Sequence, residues 1–328
     1  MLRSLTSLII TIFSVLIFTA CSNSATPNPA TPEPDPTPSL GEQWEILSTN
    51  TTEPLNGLTS DGTTIVAVGG ANGTHPRIIY TTSSNLNSWT AVTNYTGTPA
   101  NINLNSVASS GSMFMAVGDG GQYLTSIDGI NWTYQTPLSV NLTKIIYTDT
   151  KFVAVGEANI CSGSTTLTCT SYTGTFNDIT WNGSAYVAVG DAGLIHTSTS
   201  GAHNSFGTAL NTGISGVGTE NIKAITTDGT IFFLVTDNIT MKVFESENNS
   251  GQTWNNIVDQ NFNSTGIAFM DTMLFGISTA GDVRRTSDFA TTQTYNIGIT
   301  QDLYSIIRIN NSLFVTGNNG TVAQSILN

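Results

Sequence analysis

Short, continuously apolar runs alternate along this chain with polar stretches rich in Gly, Ser, Thr and Asn, and the apolar runs recur. Val66-Ala67-Val68-Gly69, Met115-Ala116-Val117-Gly118, Val153-Ala154-Val155-Gly156 and Val187-Ala188-Val189-Gly190 are near copies. Phe233-Leu234-Val235-Thr236, Phe275-Gly276-Ile277-Ser278 and Phe314-Val315-Thr316-Gly317 are weaker copies. A β-branched run without polar alternation is what a strand buried on both faces requires. Turn signals stand just upstream of several runs, at Ser60-Asp61-Gly62, Ser110-Gly111-Ser112, Asn182-Gly183-Ser184 and Asp228-Gly229. These mark hairpins between a preceding strand and the apolar one.

Seven units at a mean spacing of about 41 residues match the period of four-stranded propeller blades. The last unit ends on its third strand, Thr321-Val322-Ala323-Gln324-Ser325-Ile326-Leu327, whereas Trp44-Glu45-Ile46-Leu47-Ser48 reads as an outer strand lacking a unit. The expected fold is therefore all-β: a seven-bladed β-propeller of four-stranded blades over residues 43–328. The N-terminal strand is expected to complete the last blade and close the ring, leaving no open edge.

A second hairpin turn is the most specific local signal. Ser126-Ile127-Asp128-Gly129-Ile130-Asn131-Trp132 and Ser246-Glu247-Asn248-Asn249-Ser250-Gly251-Gln252-Thr253-Trp254 resemble the Asp-box (BNR) motif. In such a turn Asp128 or Asn248 satisfies backbone N–H groups, Gly129 or Gly251 takes a left-handed conformation, and Trp132 or Trp254 packs back into the core. Together with the Val-Gly-x-x-Gly pattern, these turns resemble the photosystem II assembly factor (Ycf48)-like and BNR, sialidase-like, propellers. The resemblance spans nearly the whole chain after the N-terminal segment. It implies the fold, and it implies a protein partner or a glycan as ligand.

The N-terminus sets an expected address. Met1-Leu2-Arg3, an apolar run from Leu8 to Phe18 and the small residues Thr19 and Ala20 form a secretory signal too short to span a bilayer. Phe18-Thr19-Ala20-Cys21 resembles the lipobox of bacterial lipoproteins, which implies lipidation of Cys21 after removal of residues 1–20. Ordinary signal cleavage after Ser22 is the alternative. Residues 21–42 carry six of the ten prolines and read as a stiff tether. The expected location is the bacterial envelope, lipid-anchored with the outer membrane favoured, and the propeller in the periplasm or at the cell surface.

Loss of Arg3 with the signal leaves eight basic residues against 22 acidic ones, a net charge of −14. Such a surface repels phosphate backbones, so nucleic acid is excluded as a partner, as is a basic membrane-docking patch. With Cys21 assigned to lipid, Cys161 and Cys169 remain as a pair eight apart, suited to a hairpin disulfide in an oxidising compartment, or else two free thiols.

Candidate chemistry is sparse. Asp119, Glu157, Asp191 and Asp237 each follow a central strand, so all four fall near one face of the ring, either to bind a cation or a basic partner or to serve the turn after the strand. The loops Gly70–Pro76, with His75 and Arg77 beside it, and Glu157–Thr168 are long, as is the connection Asn204–Asn221. Long loops on a regular scaffold point to binding. Arg77, Arg284, Arg285 and Arg308 are poorly placed for the arginine triad of sialidases. His75, His196 and His203 lack metal-site spacing and read as polar surface residues, so no metal or cofactor is expected. The expected function is a non-catalytic binding or assembly scaffold; the alternative is a glycan-binding or glycan-cleaving surface protein.

Overall fold

The computed structural model describes residues 40–98, 100–148, 150–207, 210, 219–237, 242–258 and 264–326. The signal segment, Cys21 and the linker up to residue 39 lie outside the described residues. So does most of the connection 204–221.

The described chain is all-β and forms six sheets, correcting the expected seven separate blades. The first sheet runs outward from Leu55–Ser60 through Thr64–Ala71 and Pro76–Thr82 to Thr90–Ala91. The second runs from Leu104–Ser109 through Phe114–Gly118 and Tyr123–Ser126 to Asn131–Tyr134. A fifth strand, Asn94–Thr96, arrives from the first unit and pairs parallel with Asn131–Tyr134. The fourth sheet starts at Ile222–Thr227, the fifth at Gly266–Met270 and the sixth at Leu303–Ile309, each with four strands.

The third sheet explains the count. Its middle strand, Thr168–Trp181, is 14 residues long. The first half pairs with Lys151–Gly163 and the second half with Tyr186–Gly190, so the third and fourth sequence units share one five-stranded sheet. Between Thr168 and Trp181 the sequence is mostly β-branched, aromatic and polar, with no proline and no Asn-Gly or Asp-Gly turn pair. Gly174 and the bulge at Asn177 bend this segment without ending it, so the outer strand of one unit runs on into the inner strand of the next.

The expected long loop Glu157–Thr168 is likewise mostly strand. Cys161 and Cys169 face each other across this hairpin and form a disulfide. Closing an eight-residue separation in the unfolded chain corresponds to about 2–3 kcal/mol. The double variant Cys161→Ala/Cys169→Ala should lose that much stability in urea unfolding, and dithiothreitol should lower the wild-type midpoint similarly while leaving the variant unmoved.

Backbone hydrogen bonds do not close the ring from sheet to sheet. The strand Gln43–Leu47 pairs antiparallel with Val322–Ile326, so the two ends of the chain share the sixth sheet. Neighbouring sheets meet through apolar side chains instead. Val66, Val68 and Ile78 of the first sheet pack with Leu104, Phe114 and Trp132 of the second. Leu47, Phe314 and Val322 of the sixth pack with Leu55, Ile65 and Ile79 of the first. The central strands are buried on both faces, as in Val66, Ala67 and Val68, all fully buried. Leu40 packs beside Phe275, and the Arg285 guanidinium donates to the Leu40 carbonyl at 2.7 Å and pairs with Glu42, so the linker's last residues dock on the fifth sheet.

Candidate functional site

Six of the seven inner strands carry the same irregularity near their start, and Gly266–Met270 pairs without it. The pairing register skips Asn56, Asn105, Thr143, Asn177, Lys223 and Tyr304. A bulge of this kind frees one residue from the ladder and re-aims its side chain. Four of the six use that freedom to bridge sideways: Asn56 donates to the Leu104 carbonyl at 2.8 Å, Asn105 to Leu142 at 2.9 Å, Thr143 to Phe176 at 2.8 Å and Asn177 to Ile222 at 2.9 Å. Thr265 does the same to Leu303 at 2.9 Å. These bonds form a belt around a central channel of about 370 Å³. Sequence reasoning missed the belt, although an apolar residue followed by Asn or Thr recurs at the start of the inner strands.

Just above the belt, a second set of bonds accounts for the candidate carboxylates. The Asn103 amide donates to Asp119 at 3.0 Å and accepts the Ala71 N–H at 3.1 Å. Asn141 repeats this with Glu157 at 2.8 Å and the Gly120 N–H at 2.7 Å, and Asn221 with Asp237 at 2.9 Å and the Ala192 N–H at 3.0 Å. Asp191 accepts from Asn177 at 2.8 Å. All four acids thus lie at the same ends of the strands, but each is tied to an asparagine of its own unit: Asp119, Glu157 and Asp237 to one in the connection entering it, and Asp191 to the bulged inner-strand Asn177. Asp237 also meets Lys223 at 3.3 Å. Burial pushes its carboxyl up, and hydrogen bonds from Asn221 and Lys223 outweigh that and hold it below its ordinary value.

His75 and Arg77 stand at this same face but in different company. The His75 ring stacks on Tyr95 with centroids 4.3 Å apart, and its Nδ1 lies 3.0 Å from the Tyr134 hydroxyl. Arg77 grips Glu53 with two bonds, Nη2 to Oε1 at 2.8 Å and Nε to Oε2 at 3.1 Å. The arginines do not converge: Arg285 serves Gln293, Glu42 and Leu40, and Arg308 donates to the Asn310 carbonyl. His196 corrects the surface reading. It is 4% exposed, edge-on to Tyr172 and Phe176, with Nδ1 on the Gly207 carbonyl at 2.6 Å.

The Ser126–Trp132 and Ser246–Trp254 turns lie at the opposite ends of the strands. Asp128 Oδ1 accepts the N–H groups of Ile130 and Asn131 at 2.9 and 2.8 Å, and the Ser126 hydroxyl accepts Gly129 N–H at 2.8 Å. Gly129 and Gly251 have φ of 74° and 65°, and the Trp132 and Trp254 indoles donate to their carbonyls at 3.0 Å. Asn248 Oδ1 accepts the Ser250 N–H at 2.9 Å. Their work is architectural.

Two carboxyls have strongly lowered pKa values. The Arg77 guanidinium, aided by the Thr51 hydroxyl, holds Glu53 at about 2. Burial pushes Asp128 up, but hydrogen bonds from Asn131, Ile130 and Ser126 outweigh it and bring the group to about 2. Both folded values lie below the ordinary carboxylate range, so the stabilisation is complete above about pH 5 and is lost as pH falls toward 2. With partial solvent screening, each contributes on the order of 1 kcal/mol. Thermal unfolding of Asp128→Ala should lie below wild type at pH 7, with the gap narrowing as pH drops from about 5 to 2.

The family model of the DUF6242 beta propeller domain matches residues 62–182. Solved structures of similar fold include YCF48 bound to D1 peptide, 17% identical with a TM-score of 0.69, covering 89% of this chain and 100% of that one. YCF48 from Cyanidioschyzon merolae is 17% identical with a TM-score of 0.66, covering 86% and 98%. The WD40 beta propeller domain of Doa1 is 11% identical with a TM-score of 0.65, covering 88% and 98%. No curated protein matches the sequence. The chain therefore contains a β-propeller domain structurally similar to YCF48.

Proposed function

We propose that this chain is a non-catalytic envelope protein, anchored through Cys21, whose propeller holds a protein partner against the face formed by residues 72–75, 119–121 and 191–193. The observation that carries the reading is the YCF48-like architecture, seen in one relative with a D1 peptide bound. The arrangement of the acids supports it. Asp119, Glu157 and Asp237 are engaged by asparagines that join neighbouring loops, and Asp191 by Asn177, which bridges to the next inner strand, which makes a rigid platform rather than a poised acid–base pair. The Cys161–Cys169 disulfide supports an oxidising compartment.

Site-specific photo-crosslinking in cells tests the partner. A crosslinker at Thr74, on the proposed face, should give one reproducible protein adduct, while one at Ser112, at the opposite strand ends, should not. Equal adduct patterns from both positions would sink the reading. The anchor is tested separately by metabolic labelling with a radiolabelled fatty acid, which should mark the wild type and not Cys21→Ala.

A further inference from the structure

The hairpin closed by Cys161 and Cys169 holds one residue of the turn after Ile195–Ser198 from three sides. His203 donates its N–H to Ser162 Oγ at 2.8 Å, places its ring Nδ1 2.8 Å from the Thr170 hydroxyl, and accepts the Tyr172 hydroxyl on its carbonyl at 2.8 Å. Ser162 lies on one strand of the hairpin, and Thr170 and Tyr172 lie on the other. The bonds that tie this turn to its own sheet fall elsewhere. Gly201 N–H reaches Ser198 Oγ at 3.0 Å, the Ser205 hydroxyl meets that of Ser198 at 2.6 Å, and Gly207 N–H reaches the Thr197 carbonyl at 3.0 Å. Among the described residues, the hydrogen bonds on His203 all come from the hairpin.

The disulfide sits where this grip is set. Cys161 stands opposite Cys169, flanked by Ile160 opposite Thr170 and by Ser162 opposite Thr168. Side chains alternate along a strand, so the disulfide occupies one face of the hairpin, packed with Val117 and Tyr123 of the second sheet. Ser162, Thr170 and Tyr172 occupy the other face. Only the Ser162–Thr168 pair separates the disulfide from the exposed turn 164–166. The covalent bond therefore fixes the register of two strands at the point where both must converge on His203. Hydrogen bonds weaken steeply with distance and angle, so a small slip there loosens the grip. Cys161 is fully buried and Cys169 only partly, so an incoming thiolate meets Cys169.

We propose that the Cys161–Cys169 disulfide is a reducible latch on His203, opened by a dithiol reductant. A thiolate of the reductant attacks Sγ of Cys169, the S–S bond breaks, and Cys161 Sγ leaves with the bonding pair and takes a proton. The second thiol of the reductant then displaces Cys169. The protein gains two electrons and two protons, and the dithiol becomes a disulfide. With the strands uncoupled, the three side chains part from His203 and the turn 202–206 opens, uncovering the edge-on contact between Tyr172 and Phe206. The latch depends neither on the partner face nor on the anchor.

Amide hydrogen exchange of the full chain, resolved by residue, tests the latch by comparing oxidised protein with protein reduced by dithiothreitol. The His203 N–H should exchange about tenfold faster or more after reduction, as expected when the protection of one hydrogen bond is lost. The Gly129 N–H, held by Ser126 Oγ in a turn with no disulfide beside it, should be unchanged. Ser162→Ala should speed His203 similarly while the disulfide stays intact, as its mass after alkylation will show. Cys161→Ala/Cys169→Ala should match the reduced wild type and ignore dithiothreitol. Should that variant fail to fold, reduction of the wild type decides the matter without it. Unchanged His203 exchange in the fully reduced protein, or in Ser162→Ala, would overturn the proposal. So would equal acceleration at Gly129, which marks global opening, or a disulfide that dithiothreitol leaves intact in the folded protein.

Discussion

Gly118→Ala should destabilise the protein by about 3 kcal/mol or more, the upper end of what overpacking costs when the obstacle cannot move. The backbone conformation is not the reason, since Gly118 has φ −165°, which any residue adopts. Space is. A Cβ there would lie 2.0 Å from the Asn103 carbonyl oxygen and 2.9 Å from Leu104 Cα. That carbonyl cannot retreat, because it accepts the Asp119 N–H at 3.1 Å while the Asn103 side chain holds the Asp119 carboxylate. Gly69, Gly156, Gly190 and Gly317 stand in the same relation to Pro54, Asn141, Thr175 and Asp302, at 1.8 to 2.2 Å. Thr236 and Ser278 take the place in the other two units, so the cost belongs to the local placement of the connection and not to the strand. Gly111→Ala is the control: its φ is 83° and nothing lies within 4 Å, so it should cost only the 1–2 kcal/mol of a left-handed residue. Thermal unfolding should place Gly118→Ala at least about 6 °C below wild type, at roughly 2 °C per kcal/mol for a domain of this size. Equal midpoints for the two variants would refute the steric account.

Trp132→Ala should cost about 3–5 kcal/mol, the usual range for emptying a buried aromatic site. Trp132 is 1% exposed and lies in the cluster that joins Val66, Val68 and Ile78 of the first sheet to Phe114 and Leu124 of the second. Its ring centroid is 6.4 Å from that of Phe114. Its truncation would therefore open a void between two sheets that meet there through side chains and the single crossover strand Asn94–Thr96. Trp132→Phe keeps most of the apolar area but loses the bond to the Gly129 carbonyl, and should cost about 1–2 kcal/mol. A urea midpoint for Trp132→Ala close to that of Trp132→Phe would show that the void collapses.

The repeated Val-Ala-Val-Gly runs announce buried central strands because continuous apolarity is a local property. The glycine that ends each run was legible as a repeat, but its cause was not. The carbonyl that forbids a side chain at Gly118 comes from Asn103, a residue of the connection before the inner strand. The acids after those glycines could be placed at one face by strand direction alone. Their partners could not, since Asn103, Asn141 and Asn221 reach them only once each connection folds back over its own unit. His196 shows the same limit: its burial between Tyr172 and Phe176 depends on two strands brought together by the third sheet.

Sequence alone determined the all-β class, the repeating unit and the hairpin turns, and narrowed Cys161 and Cys169 to a hairpin disulfide or two free thiols, because each rests on residues close together in the chain. Tertiary structure decided the number of sheets, the means of closure and the lining of the channel. Those depend on the strand Thr168–Trp181 running on from one unit into the next, and on bulges that turn Asn56, Asn105 and Asn177 toward a neighbouring strand. They also left Lys223 and Tyr304 facing the channel, and a hydrophobic pattern cannot carry that information, because it records which residues are buried and not which partners they meet.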